Sequence, residues 1–127
     1  MGGNPFLGRW RIREMDEWDR DYLDLVVPAF LEFRADGQGA FQFGTVAGFI
    51  DYRVVQRGAD VAVEWSWEGR SDTDPACGRG WAKIEAGHLA GKIFIHQSDD
   101  SGFRAVRVKM RLSRSSAPTG SDSGGAA

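Results

Sequence analysis

The chain has 127 residues, one cysteine and a net charge of −2, which suits one domain with a core large enough to fold without disulfides. That charge and a pI of about 5.6 give no field for a polyanion and argue against nucleic acid as a partner. No apolar run reaches the length of a transmembrane helix, and Met1-Gly2-Gly3-Asn4-Pro5 has neither the basic nor the apolar part of a secretory leader. With Cys77 alone, the expectation is a cytoplasmic protein outside the membrane.

Phe6 to Met15 reads as a first strand, with Trp10, Ile12 and Glu14 on one face and Arg9, Arg11 and Arg13 on the other. The period then changes. Trp18, Tyr22, Leu25 and Val26 fall on one helical face between Asp16, a candidate N-cap, and Pro28, a stop. A short helix or ordered loop is predicted there, acidic on its other side through Glu17, Asp19, Asp21 and Asp24. Ala29 to Arg34 is a strand, and Asp36-Gly37-Gln38-Gly39 a turn. Ala40 to Val46 returns with Phe41 and Phe43 on one face, and Ala47-Gly48 reads as the next turn. Phe49 to Gln56 is a strand ending at the turn Arg57 to Asp60.

The strongest strand follows. Val61, Val63, Trp65 and Trp67 alternate with Ala62, Glu64, Ser66 and Glu68, the period-two pattern of a half-buried strand. Gly69 to Gly78 reads as irregular. Arg79 to Glu85, carrying Trp81, and His88 to His96 are strands joined at Ala86-Gly87. Gln97 to Gly102 is a polar loop, and Phe103 to Leu112 the last strand. Eight strands at a spacing of about ten residues with Gly-rich turns predict an all-β antiparallel meander. Closure into an eight-stranded up-and-down barrel removes the free edges; a two-sheet sandwich is the alternative. The folded domain is expected over residues 4–112. The Ser/Gly/Ala-rich stretch 113–127 is expected to be disordered.

Gly8-Arg9-Trp10 at the start of the first strand resembles the calycin and lipocalin-like barrels. That resemblance implies that Trp10 plugs the closed end of the barrel, under a cation from Arg104, Arg107 or Lys109. It also implies a lid between the first and second strands. The runs Asn4 to Ile12, Gly78 to Ala82 and Ile93 to Ser101 are similar to a family of small uncharacterised bacterial proteins with a Gly-Arg-Trp-Arg-Ile opening, which implies no activity.

The candidate ligand site is the barrel interior and its lid: Trp18, Tyr22, Phe41, Phe43, Tyr52, Trp65, Trp67 and Trp81. Eight strands leave room either for packed side chains or for one small ligand. A second cluster, Asp72, Asp74, Cys77, His96, Asp99 and Asp100, falls on two late loops expected at one end of the barrel. It matches no zinc or EF-hand spacing, and such acids commonly serve turns. No cofactor, no metal and no catalytic residue is predicted. Three functions remain, in falling order of support: a module binding a small apolar ligand, a structural or interaction domain with a filled barrel, and an enzyme working through Cys77, His96 and the loop acids. In the second case Phe49 or Phe103 would be exposed at an interface, and the protein a monomer or a homodimer.

Overall fold

A computed structural model describes residues 3–108. The elements are β1 (Gly8–Met15), α1 (Arg20–Leu23), β2 (Phe30–Phe33), β3 (Gln38–Phe43), β4 (Val46–Arg57), β5 (Asp60–Ser71), β6 (Asp74–Glu85), β7 (His88–Ile95) and β8 (Asp100–Arg107). The eight strands form one closed antiparallel barrel in sequence order, with the single short helix between β1 and β2. β1 closes against β8, with Trp10 opposite Arg107 and Ile12 opposite Ala105. The register shifts between Ile12 and Glu14, a bulge that turns Glu14 outward and Met15 into the core. The expected continuation of the last strand through Lys109, Met110, Arg111 and Leu112, and the expected tail, lie outside the described residues.

Several boundaries differ from the sequence reading: β3 starts at Gln38 inside the expected turn 36–39, β8 starts at Asp100 inside the expected loop 97–102, and three further differences have a clear physical reason. The turn between β3 and β4 is Gly44-Thr45, not Ala47-Gly48: Phe43 pairs with Val46, and Gly44 takes φ +56°. Gly48 instead lies inside β4 opposite Phe41. The stretch 69–78 is not irregular. β5 runs to Ser71 and β6 starts at Asp74, leaving a two-residue turn with Asp72 at φ +60°. The helix is one turn long, capped by the Asp19 carboxylate on Tyr22 N–H at 3.0 Å rather than by Asp16. Its buried residue is Leu23, while Leu25 is 62 % exposed and Val26 59 %.

Gly48 and Gly78, read from sequence as turn and loop, are strand residues, and with Gly80 they receive aromatic rings. Trp65 pairs across the ladder with Gly80, Trp67 with Gly78, and Phe41 with Gly48. A Cβ on Gly80 would overlap the Trp65 indole, and one on Gly48 would fall 2.6 Å from Trp67 and 2.8 Å from Phe41. Each large ring therefore lies over a position with no side chain. This lets several bulky aromatics share one narrow interior.

Both ends of the barrel are closed. At one end Trp10, 1 % exposed, donates its indole N–H to Phe6 O at 3.0 Å. The Arg107 guanidinium lies over its ring, 4.1 Å from the centroid, and donates to Leu7 O and Pro5 O at 2.6 and 2.7 Å. Of the candidate cations, Arg107 is the one that covers Trp10; Arg104 reaches Glu14 instead, at 3.5 Å. At the other end the segment around α1 folds down as a lid. Trp18 stands 5.0 Å from Phe43, centroid to centroid. The Tyr22 ring covers Gly44, and its hydroxyl meets Thr45 Oγ1 at 3.0 Å. Gly44 N–H donates to Leu23 O. Asp24 ties the return of the chain by accepting from Ala29 N–H and from Arg11, both at 2.9 Å.

Two consequences can be measured. Asp24 is held below the ordinary carboxylate value of 3.8, first by the Ala29 N–H and then by Arg11. Glu32 is held below 4.5 by Arg9 and Arg34. A carboxylate whose folded-state pKa is depressed stabilises the fold above its unfolded value and loses that contribution as pH falls. Urea-unfolding stability is therefore expected to be level above about pH 5 and to fall below it, and Asp24→Asn is expected to flatten the fall. A second expectation concerns the ring-over-glycine pairs. Gly80→Ala places a methyl against the Trp65 indole and is expected to cost about 1–3 kcal/mol by chemical denaturation. Trp65→Leu in the same chain is expected to recover part of that loss.

Candidate functional site

Inward positions alternate along every strand, and their side chains fill the barrel. Phe33, Phe41, Phe43, Tyr52, Trp65 and Trp67 are all buried. Their rings stand edge-on or stacked at centroid distances of 4.9 Å for Phe33–Tyr52 and Phe41–Trp67, 5.6 Å for Phe33–Trp65 and 5.8 Å for Phe41–Phe43. Such contacts are favourable in themselves and bring these residues into one core cluster, with Trp18 and Tyr22 packed against it. Seven of the eight predicted ligand-site residues thus come together, as a packed interior with its lid.

Trp81 does not join them. In the β6 ladder it stands between Gly80 and Ala82, which face inward and are buried. Its partners are Glu64 on β5 and Lys92 on β7. It belongs to the outer wall and is half-buried there, with the Arg57 guanidinium 5.4 Å from its ring. The parity was present in the sequence: Trp81 falls in step with Arg79 and Lys83, the charged face of its strand. Phe103 is likewise corrected, being buried at 4 % exposure, whereas Phe49 stands 73 % exposed on the outer wall.

Two indoles in the core differ in their polar atom. Trp67 Nε1 donates to Phe94 O at 3.1 Å. Gly78 makes room for this carbonyl, which a Cβ there would strike. Trp65 Nε1 is buried with no acceptor among the described residues, an uncommon condition for a buried donor.

The second predicted cluster is only partly assembled. Cys77 is exposed on the outer wall, and His96 lies across from it, donating its backbone N–H to Cys77 O at 2.7 Å. Asp72 and Asp74 border the β5–β6 turn. Asp99 closes its own turn through its backbone carbonyl, which accepts Ile95 N–H at 3.1 Å, and the Asp100 carboxylate faces Lys92 at 3.8 Å. Among the described residues no three His, Cys, Asp or Glu side chains are grouped to hold a metal ion.

A broad concave feature lies on the outer wall of β4 to β7. Two rows of residues cross it in register. One is Asp51, Ser66, Arg79 and Phe94; the other is Arg53, Glu64, Trp81 and Lys92. Ser66 is the short side chain among long neighbours, so it forms the floor and the arginines and aromatics form the sides. The result is a groove of about 950 Å³. A second depression of about 620 Å³ adjoins it towards Phe49 and Cys77, sharing Asp51, Ser66, Arg79 and His96. Sequence reasoning missed this site because each strand was read for its apolar face. The signal available was the mixed outer set of Arg53, Ser66, Arg79, Trp81 and Phe94.

The difference between the two core indoles can be tested by substitution. Trp67→Phe removes a buried hydrogen bond to the Phe94 carbonyl, and is expected to cost about 1 kcal/mol beyond the loss of ring volume. Trp65→Phe removes no bond, and in matched urea melts is expected to be the milder change by about 1 kcal/mol.

Among the described residues no helix is long and apolar enough to cross a membrane. Comparison with protein-family models, with curated proteins and with solved structures finds no match.

Proposed function

We propose that this protein is a non-catalytic binding domain, in which the filled barrel is a rigid scaffold and the outer wall of β4 to β7 is the recognition surface. The observation that carries this reading is the contrast between the two faces of one sheet. The inner face is packed ring on ring and closed at both ends. The outer face holds Phe49, Phe94 and Trp81, wholly or partly exposed, beside a groove of small-molecule size. Opening the interior to a ligand would mean lifting the Trp18–Tyr22 lid and displacing buried aromatic rings. The outer groove needs neither.

The likeness to lipocalin-like barrels is supported by Gly8-Arg9-Trp10 and by Arg107 across Trp10. On this reading the protein keeps that architecture and binds outside it. One exposed cysteine accords with a reducing, cytoplasmic setting. The exposure of Phe49 favours a second use of the same wall, contact with another protein or a second copy of the chain.

The tryptophan indole N–H resonances locate binding directly, because Trp81 reports the outer wall while Trp65 and Trp67 report the interior. When a mixed library of small aromatic fragments is titrated into the labelled protein, the Trp81 signal is expected to shift first and most. Shifts concentrated on Trp65 and Trp67, together with Tyr22, would overturn the outer-wall reading and restore an interior site.

A further inference from the structure

The charge pattern of the outer groove selects among ligands. Its lining includes Arg53, Arg57 and Arg79 against the carboxylates of Asp51 and Glu64. Glu64 is engaged by Arg57 at 3.8 Å. Among the described residues Arg53 and Arg79 form no ion pair. A guanidinium cannot lose its proton in this pH range, so the groove carries an excess of fixed positive charge beside the rings of Trp81 and Phe94.

Three classes of ligand can be weighed against that arrangement. A neutral apolar molecule would cover Trp81 and Phe94 but shield the two arginines from water without giving them a partner, which is costly. A polyanion would meet Asp51 within the groove and an overall charge of −2, which disfavours it. A ring carrying one compact anionic group with two or more acceptor oxygens answers both demands. The anion accepts the forked N–H donors of a guanidinium, and the ring lies on Trp81 or Phe94.

We infer that the groove between Arg53, Arg79, Trp81 and Phe94 binds a small aromatic monoanion, of the carboxylate or sulfonate class. This rests on the outer-wall reading above and names its ligand chemistry. Arg79 is central, because it borders both adjoining depressions.

The test uses the full chain and two fluorescent probes of nearly the same shape. 8-Anilinonaphthalene-1-sulfonate carries the anion, and N-phenyl-1-naphthylamine lacks it. The sulfonate is expected to bind about tenfold more tightly, the scale of one charge-assisted hydrogen bond. Its affinity is expected to fall with added salt. Arg79→Gln and Arg53→Gln are each expected to erase most of that preference while leaving the neutral probe and the unfolding midpoint unchanged. Equal affinities for the two probes, or indifference of the sulfonate to both arginine variants, would overturn the inference. If the probes bind equally and both weaken in Trp81→Ala, the anion selectivity fails and the outer-wall reading stands. If neither responds to Trp81→Ala and both respond to Trp18→Ala, the outer-wall reading fails with it.

Discussion

The interior of an eight-stranded barrel has a width set by strand number and tilt, and every inward side chain must fit within it. Here the inward set includes two tryptophans side by side on β5 and several phenylalanines around them. They fit because glycines face them. Gly80 under Trp65, Gly78 under Trp67 and Gly48 against Phe41 are direct cross-strand partners, and a single added methyl at any of them would meet a ring. The packing of the core follows from this pairing of the largest residues with the smallest.

A core built that way is rigid, because no ring can move without another giving way. The lid shares this property. Trp18 packs at a tilt against Phe43 and Tyr22 lies over Gly44, so the lid is continuous with the core and differs from a flap over an empty cup. On the proposed reading, recognition belongs to the other face of the sheet, where side chains are not committed to the core. On β4 to β7 that face offers a small floor at Ser66, rings at Trp81 and Phe94, and guanidinium groups at Arg53 and Arg79. These groups stand on long paired strands, which hold them more precisely than loops would.

Period-two alternation makes the barrel legible from sequence: Val63, Trp65 and Trp67 are buried as the pattern requires, while Val61 at the strand end is exposed and Ala62 on the other face is covered. The change of period after Met15 marks the helix. The same reasoning misplaces the Gly44-Thr45 turn and dissolves the ends of β5 and β6 into a loop, because glycine carries two opposite meanings. At Gly44 it supplies a positive φ; at Gly48, Gly69 and Gly78 it makes space for a ring or a neighbouring backbone. A single strand read alone cannot separate the two, since the ring or carbonyl that occupies the space belongs to another strand. Trp81 is misplaced for a related reason. Large apolar residues are most often inside, but its step with Arg79 and Lys83 puts it on the outer face. The outer groove depends on registers across four strands, and no one segment contains it.

The link between Arg107 and the first residues of the barrel has a kinetic side. Seven of the eight strand pairings join neighbours in sequence, and each can form as a local hairpin or short crossover. The eighth, β1 with β8, brings together residues about a hundred positions apart, as in the bond from Arg107 to Leu7 O. Contacts of such long range are the slow ones in folding. The barrel can therefore assemble as a curved, open meander whose last event is the seating of Arg107 over Trp10. Until that event β1 and β8 are unpaired edges open to a second chain, and the clasp that seals the barrel also ends its exposure to misassembly.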